Sequence, residues 1–282
     1  MSTLSGNGRA PNRAEVADRV CVVTGASSGI GRRTALDLAA AGNKVCVAAR
    51  REDRLRALVV EMGGTDAGHS YLVTDVSVRS DVQKLAAHVA ATYGRLDVLV
   101  NNAGFAGKEG FAGADSIEEV ERVMATNFFG AIYCTGEMFS LLEASAPSHV
   151  VNVASMSGRI ATPGTPTYVA SKFALVGWTE SVQPALAAKG IYLSSVEPGF
   201  VPTEGFPQKN LVRDRFMKHL LGTEDQVSAA IQDAIANRKP QRVVPRWYYL
   251  VQLPRVFTPR LYRFAADKVA NSRMGKKASD FR

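Results

Sequence analysis

Val20-Cys21-Val22-Val23-Thr24-Gly25-Ala26-Ser27-Ser28-Gly29-Ile30-Gly31 runs from a short apolar stretch through a glycine-rich turn into a helical pattern. Further apolar, β-branched runs follow at Val45–Ala49, Ser70–Thr74, Leu96–Asn101, His149–Ala154 and Ile191–Glu197. Between them, Arg32–Ala41, Asp53–Met62, Asp81–Tyr93, Ile117–Glu143, Thr167–Lys189 and Glu224–Asn237 carry helical periodicity, several opened by a Ser, Thr or Asp cap. Strand alternating with helix predicts an α/β fold with a doubly wound parallel sheet. Val243-Val244 reads as a last edge strand, which makes about seven strands flanked by helices. Residues 1–17 read as a flexible tail, 18–244 as the sheet domain with a substrate lid at 204–221, and 245–282 as a basic amphipathic extension.

The chain has 282 residues, 46% of them hydrophobic, enough for a sizeable core in one domain. No apolar stretch reaches the roughly 18 to 20 residues that span a bilayer, so no transmembrane helix is expected. Arg9, Arg13 and Glu15 interrupt the start without an apolar segment, so no secretory signal is expected either. Cys21, Cys46 and Cys134 lie in apolar surroundings without metal-like spacing. They read as buried reduced thiols of a cytoplasmic protein, and no metal is expected. The net charge of +8 invites a nucleic-acid reading, but its distribution opposes one. Arg238 and the residues after it hold twelve Lys or Arg against Asp267 and Asp280, so the rest of the chain sums to −2. The excess is a basic tail on an ordinary body, and no nucleic-acid partner is expected.

The turn Thr24–Gly31 suits a pyrophosphate: backbone N–H groups and the positive end of a helix face the anion, and glycines remove the Cβ atoms that would block its approach. The second strand ends Ala48-Ala49-Arg50-Arg51. An acid there would accept from a ribose 2′-hydroxyl and repel a 2′-phosphate, whereas Arg50 and Arg51 can pair with the phosphate. The reading is NADP(H) in preference to NAD(H).

Tyr168-Val169-Ala170-Ser171-Lys172 opens a helix, and residues four apart share a face, so the phenol and ammonium can cooperate. A nearby cation should lower a tyrosine from near 10 by about one to three units, toward useful acid-base chemistry. Ser155 ends the strand thirteen positions earlier, Asn101-Asn102-Ala103-Gly104 closes the fourth strand, and Asn127 falls in the helix that follows. In an open parallel sheet these groups meet in the crevice beyond the carboxyl ends of the strands.

On these motifs the chain resembles a short-chain dehydrogenase/reductase of the typical 250-to-300-residue branch, over about Arg19 to Val244, with a Rossmann-type sheet. The resemblance implies that Thr24, Gly25, Ser27, Ser28, Gly29, Ile30 and Gly31 form the cofactor turn. It places Asp75 at the adenine and Val76, Asn102, Ala103 and Gly104 beside the cofactor. Pro198, Gly199, Val201 and Thr203 would belong to a cofactor-binding segment in which Val201 and Thr203 approach the nicotinamide carboxamide, and Asn127, Ser155, Tyr168 and Lys172 would be the catalytic tetrad. By the same resemblance Ser155 holds a substrate carbonyl, Tyr168 exchanges the proton, Lys172 tunes the tyrosine and bonds the nicotinamide ribose, and Asn127 holds a water relay. A homodimer or homotetramer is also implied.

Phe105, Met156, Phe200, Phe206, Leu211, Phe216 and Met217 fall in loops that the family sets around its substrate, which suggests a lipophilic carbonyl or secondary alcohol. Several of them could instead pack the domain. Trp247–Val251 and the pattern after Thr258-Pro259 could pack on the body or a neighbouring subunit, or lie on an anionic membrane; packing is the preferred reading. The competing class is a non-catalytic nucleotide-binding or scaffold protein of the same fold, against which the complete tetrad argues.

Overall fold

A computed structural model describes residues 18–108, 115–161, 164–204, 221–264 and 267–268. The expected tail at 1–17, most of the expected lid, with Phe206, Leu211, Phe216 and Met217, and the end of the extension lie outside the described residues.

Seven parallel strands run β1 Val20–Thr24, β2 Lys44–Ala49, β3 Ser70–Val73, β4 Val98–Asn101, β5 Ser148–Val153, β6 Ile191–Pro198 and β7 Gln241–Val244, in the order β3-β2-β1-β4-β5-β6-β7. Among the described residues the main helices are α1 Gly29–Ala40, α2 Glu52–Glu61, α3 Arg79–Tyr93, α4 Asp115–Met124, α5 Gly130–Glu137, α6 Phe139–Ala144, α7 Pro166–Ala187, α8 Glu224–Asn237 and α9 Tyr249–Phe257. This is the doubly wound sheet that the alternation predicts. The edge strand anticipated at Val243-Val244 extends back to Gln241 and pairs with β6.

Alternation along the strands divides the core. Cys21, Val23, Val45, Val47, Val98 and Val100 face Leu38 of α1, Leu58 of α2 and Ile231 of α8. Val20, Val22, Cys46, Ala48 and Leu99 face Leu85 of α3, Cys134 of α5 and Leu142 of α6. Burying two side-chain sets on opposite faces is what fixes strand register, since a one-residue slip would exchange them. Burial pushes the thiols of Cys21 and Cys134 up to about 12 and that of Cys46 up to about 11, so all three are inert neutral packing groups.

The single helix expected over Ile117–Glu143 is three helices. A π turn at Ala125–Phe129 separates α4 from α5, and Met138, with ψ of 4°, ends α5 before α6. Apolar periodicity continues through both interruptions, and so it does not reveal them.

Candidate active site

Strand order reverses between β1 and β4, and the crevice beyond their carboxyl ends collects the candidate residues. Thr24 pins one side to the other: its Oγ1 accepts from the N–H groups of Asn102 at 3.0 Å and Ala103 at 3.2 Å, while its hydroxyl donates to the Val100 carbonyl at 3.3 Å. The Asn102 amide donates to the carbonyls of Thr24 at 3.0 Å and Gly25 at 3.3 Å. Two glycines make this closeness possible. Gly25 has φ of +65°, and a Cβ there would lie 2.7 Å from the Ala103 Cα; at Gly31 a Cβ would lie 2.6 Å from the Gly25 carbonyl oxygen.

Ser28 precedes α1 in extended conformation without a side-chain cap, which leaves the first-turn N–H groups of Gly29, Ile30 and Gly31 open at the positive helix end. Such a terminus fits a pyrophosphate. Thr203 packs over it, its Cβ 3.3 Å from where a Gly29 Cβ would stand, and Val201 is buried beside it. Pro198 ends β6, and the Gly199 N–H donates to the Val244 carbonyl at 2.7 Å.

The two arginines after β2 separate. Arg51 reaches the glycine turn: its guanidinium donates to Ser27 Oγ and Ser28 Oγ, each at 2.9 Å, and to the Glu204 carboxylate at 2.6 Å. Arg54 also pairs with Glu204. Arg50 stays 73% exposed and approaches Asp75 at 4.0 Å. Asp75 Oδ1 accepts from the Ser77 N–H at 3.0 Å and hydroxyl at 2.6 Å, and Val76 is buried behind it. Beside Arg54 and Glu204 a cleft of about 310 Å³ is lined by Ser27, Ser28 and Gly29. The part of Glu204 has no signal in the sequence, because it depends on a contact across more than 150 positions.

On the other side of the crevice, Ser155, Tyr168, Lys172 and Asn127 come together. The phenol of Tyr168 and the hydroxyl of Ser155 are hydrogen-bonded. Ser155 Oγ also accepts from the Ser157 N–H at 3.0 Å, which fixes its rotamer at the end of β5. The Lys172 ammonium, buried, donates to the Val153 carbonyl at 2.9 Å and lies 5.8 Å from the centre of the Tyr168 ring. Asn127 sits inside the π turn, which aims its side chain inward; its Oδ1 accepts from the Phe105 N–H at 3.0 Å. Its amide donates to the Phe105 carbonyl at 2.9 Å and to Ser171 Oγ at 3.0 Å, and the Ser171 hydroxyl donates to the Tyr168 carbonyl at 2.8 Å. Ser171 therefore ties Asn127 to the backbone of Tyr168, a role not read from the sequence. Gly104 meets this group too: its Cβ position is 3.1 Å from Asn127 Oδ1 and 3.6 Å from Lys172 Nζ.

One expectation meets an opposing effect. The sequence led us to expect a phenol made more acidic by the lysine. Burial instead pushes Tyr168 up to about 12, against the Ser155 hydrogen bond that acts in the opposite sense. Burial also pulls Lys172 down to about 8. Desolvation disfavours both charged forms, while the Lys172 ammonium donates to the Val153 carbonyl.

A second pair absent from the sequence reading braces the site. Glu197, fully buried in β6, accepts from the Arg159 guanidinium at 2.7 Å, from Ser195 Oγ at 3.0 Å and from Gln241 at 2.9 Å. Arg159 follows the short turn Met156–Gly158 that Ser155 caps, so this cluster ties the serine's turn to β6 and β7. Of the residues expected around a substrate, Phe105 lies under the Arg122 guanidinium at 4.3 Å. Met156 is buried with Val243 and Tyr248, with Phe200 packed against them.

The family model for short chain dehydrogenases matches residues 19–213. The chain is 37% identical over 191 residues to an uncharacterized oxidoreductase, YxnA, of Bacillus subtilis, covering 66% of this chain and 53% of that protein, about half its length. It is 35% identical over 191 residues to a 3beta-hydroxysteroid dehydrogenase of Mediterraneibacter gnavus, covering 66% of this chain and 67% of that one. The crystal structure of a short chain dehydrogenase/reductase from Burkholderia phymatum in complex with NAD aligns with a TM-score of 0.76 at 27% identity, over 88% of this chain and 96% of that one. The matched span contains the glycine turn and all four members of the Asn127, Ser155, Tyr168 and Lys172 group, and the chain belongs to the short chain dehydrogenase family of oxidoreductases.

Proposed function

We propose that the protein interconverts a carbonyl and a secondary alcohol of a lipophilic small molecule with NADP(H), using Tyr168 as the proton-exchanging group. The observation that carries this reading is the hydrogen-bonded pair of Ser155 and Tyr168 hydroxyls, next to Lys172 and across the crevice from the glycine turn. A bound nicotinamide supplies or accepts the hydride. The chain's own groups do the rest. Ser155, its rotamer held by the Ser157 N–H, can turn its hydroxyl from the Pro198 carbonyl, 3.4 Å away, to the substrate oxygen. Tyr168, whose phenol burial keeps protonated through neutral pH, gives that proton to the oxygen as negative charge develops. Lys172 provides a buried ammonium whose remaining donors can serve a ribose or the phenolate. Asn127 and Ser171 hold the tyrosine's helix against the Phe105 segment.

NADP(H) is favoured over NAD(H) because no acid ends β2 and Arg51 stands over the serines of the turn. The Glu204 carboxylate already held there marks the position as one that suits an anion. Phe105 and Phe200 near the crevice, and the steroid acted on by one relative, support a lipophilic substrate. Family membership supports a homodimer or homotetramer, and the three buried thiols support a reducing, cytoplasmic setting. The test is a panel of steroid, long-chain and quinone carbonyls assayed with NADPH and NADH. The reading expects at least one lipophilic carbonyl to be reduced with kcat/KM about tenfold or more higher for NADPH. Preference for NADH would refute the cofactor assignment, and activity confined to small polar carbonyls would refute the substrate class.

A further inference from the structure

The C-terminal helix is amphipathic with its apolar side turned outward. In α9, Gln252 and Arg255 face the body: the Gln252 amide contacts the Met156 sulfur at 3.9 Å, and the Arg255 guanidinium lies 4.5 Å from the centre of the Phe173 ring and donates to the Arg159 carbonyl. Tyr248, one residue before the helix, is buried on the same side. Opposite them, Leu250, Leu253 and Phe257 recur at the three- and four-residue spacing of a single helix face, with Val256 beside them. Leu250 is 66% exposed, Leu253 46%, Val256 71% and Phe257 75%. Residues 259–264 form a further helical turn, on which the Tyr262 hydroxyl donates to the Ala161 carbonyl at 3.0 Å while Leu261 and Phe264 are also exposed. An ordinary surface helix buries its leucines and shows water its arginines. Here the leucines, with Val256 and Phe257, are left in water although Arg255 reaches solvent too, and an apolar patch of this kind marks an interaction site.

We propose that this face docks on a membrane surface bearing anionic lipids, the helix lying in the interfacial plane. The charges select that occupant. Residues 246–268 carry Arg246, Arg255, Arg260, Arg263 and Lys268 against Asp267 alone, and Arg273, Lys276, Lys277 and Arg282 follow against Asp280. Arg246, Arg260, Arg263 and Lys268 are exposed and have no carboxylate partner among the described residues. A two-fold contact with a second copy would set these cations against their own equivalents, whereas acidic headgroups neutralise them while acyl chains take up the leucines and phenylalanines. Trp247 and Tyr249, each about two-fifths exposed at the start of the helix, are the residue types that settle at the headgroup level. Among the described residues no helix is long and apolar enough to cross a membrane, so the contact is peripheral. The docking does not depend on which reaction the crevice performs.

The experiment is sedimentation of the full chain with vesicles of phosphatidylcholine, with and without about one-third phosphatidylglycerol, at low and high salt, beside a Leu253→Asp/Phe257→Asp variant. Both positions are exposed, so the variant should keep the wild-type circular dichroism and thermal transition. We expect partitioning onto the anionic vesicles to exceed that onto phosphatidylcholine by about tenfold or more, to fall with salt, and to be lost in the variant. Failure of the wild-type chain to pellet with anionic vesicles would overturn the proposal, as would equal pelleting by the variant. A wild-type dimer that the variant converts to monomer, without vesicle binding by either, would assign the face to a second copy instead.

Discussion

Replacing Arg51 by alanine should separate the two nicotinamide dinucleotides. Arg51 touches Ser27 and Ser28 at 2.9 Å each, so its guanidinium stands beside the turn that would hold the adenosine ribose and the pyrophosphate. A charge-assisted hydrogen bond to a phosphate contributes about 1.5 to 3 kcal/mol when sheltered. Two such bonds formed by a side chain 38% exposed, and partly offset by release of Glu204, leave about 2 kcal/mol net after solvent screening. That corresponds to roughly thirtyfold weaker NADPH binding, while NADH, lacking the 2′-phosphate, should change by less than about twofold. The converse variant, Glu204→Gln, removes the competing carboxylate and should strengthen NADPH binding by a few-fold without affecting NADH. Isothermal titration of both dinucleotides to the three proteins reads these values directly. Equal weakening of NADPH and NADH by Arg51→Ala, or no weakening of either, would refute the phosphate site.

Three other outcomes follow from groups around the crevice. Arg159→Leu strands the buried Glu197 carboxylate and should cost about 3 to 5 kcal/mol of stability in denaturant titrations; a loss below about 1 kcal/mol would show that the pair does not brace β6. Gly31→Ala places a methyl against the Gly25 carbonyl and should weaken binding of both dinucleotides in titration, so unchanged affinity would remove the close approach from the account. Burial holds His149 down to about 3, with Arg19 and Arg238 acting in the same sense. As pH falls below about 6.5 the unfolded chain takes up a proton that the folded chain refuses, and stability drops by up to about 1.4 kcal/mol per pH unit until the folded group titrates as well. His149→Gln should flatten stability against pH between about 6.5 and 4, and an unaltered slope would show that this histidine is not responsible.

How far the sequence discloses the protein depends on the range of the interaction. The β1 turn and α1 are legible because glycine spacing and a β-branched run are local features, and Glu224–Asn237 matches because Thr223 and Gln226 form a capping box at its start. Tyr168, Lys172 and Ser155 are legible as residues at strand and helix ends. What they do to one another is not. The direction in which the tyrosine shifts depends on how deeply the phenol is buried and on its Ser155 partner, neither of which spacing encodes. The π turn that holds Asn127 leaves no trace because one extra residue per turn hardly disturbs apolar periodicity over so short a stretch. The choice between Arg50 and Arg51, the Glu204 carboxylate and the Arg159–Glu197 pair all depend on tertiary contacts between residues far apart in the chain. The extension shows the same limit: its amphipathic pattern is plain, but which side faces the body is decided by Tyr248, Gln252 and Arg255 finding partners around Met156 and Arg159.

The most direct test of Tyr168 as proton donor to a reduced carbonyl is isotope transfer from NADPH carrying deuterium at both C4 positions of the nicotinamide. The wild-type protein should convert a lipophilic ketone to an alcohol with one deuterium on the carbinol carbon. Tyr168→Phe should bind NADPH with affinity changed by less than about threefold yet form that product at least about a hundredfold more slowly. Labelled alcohol produced by the phenylalanine variant at the wild-type rate would contradict the account.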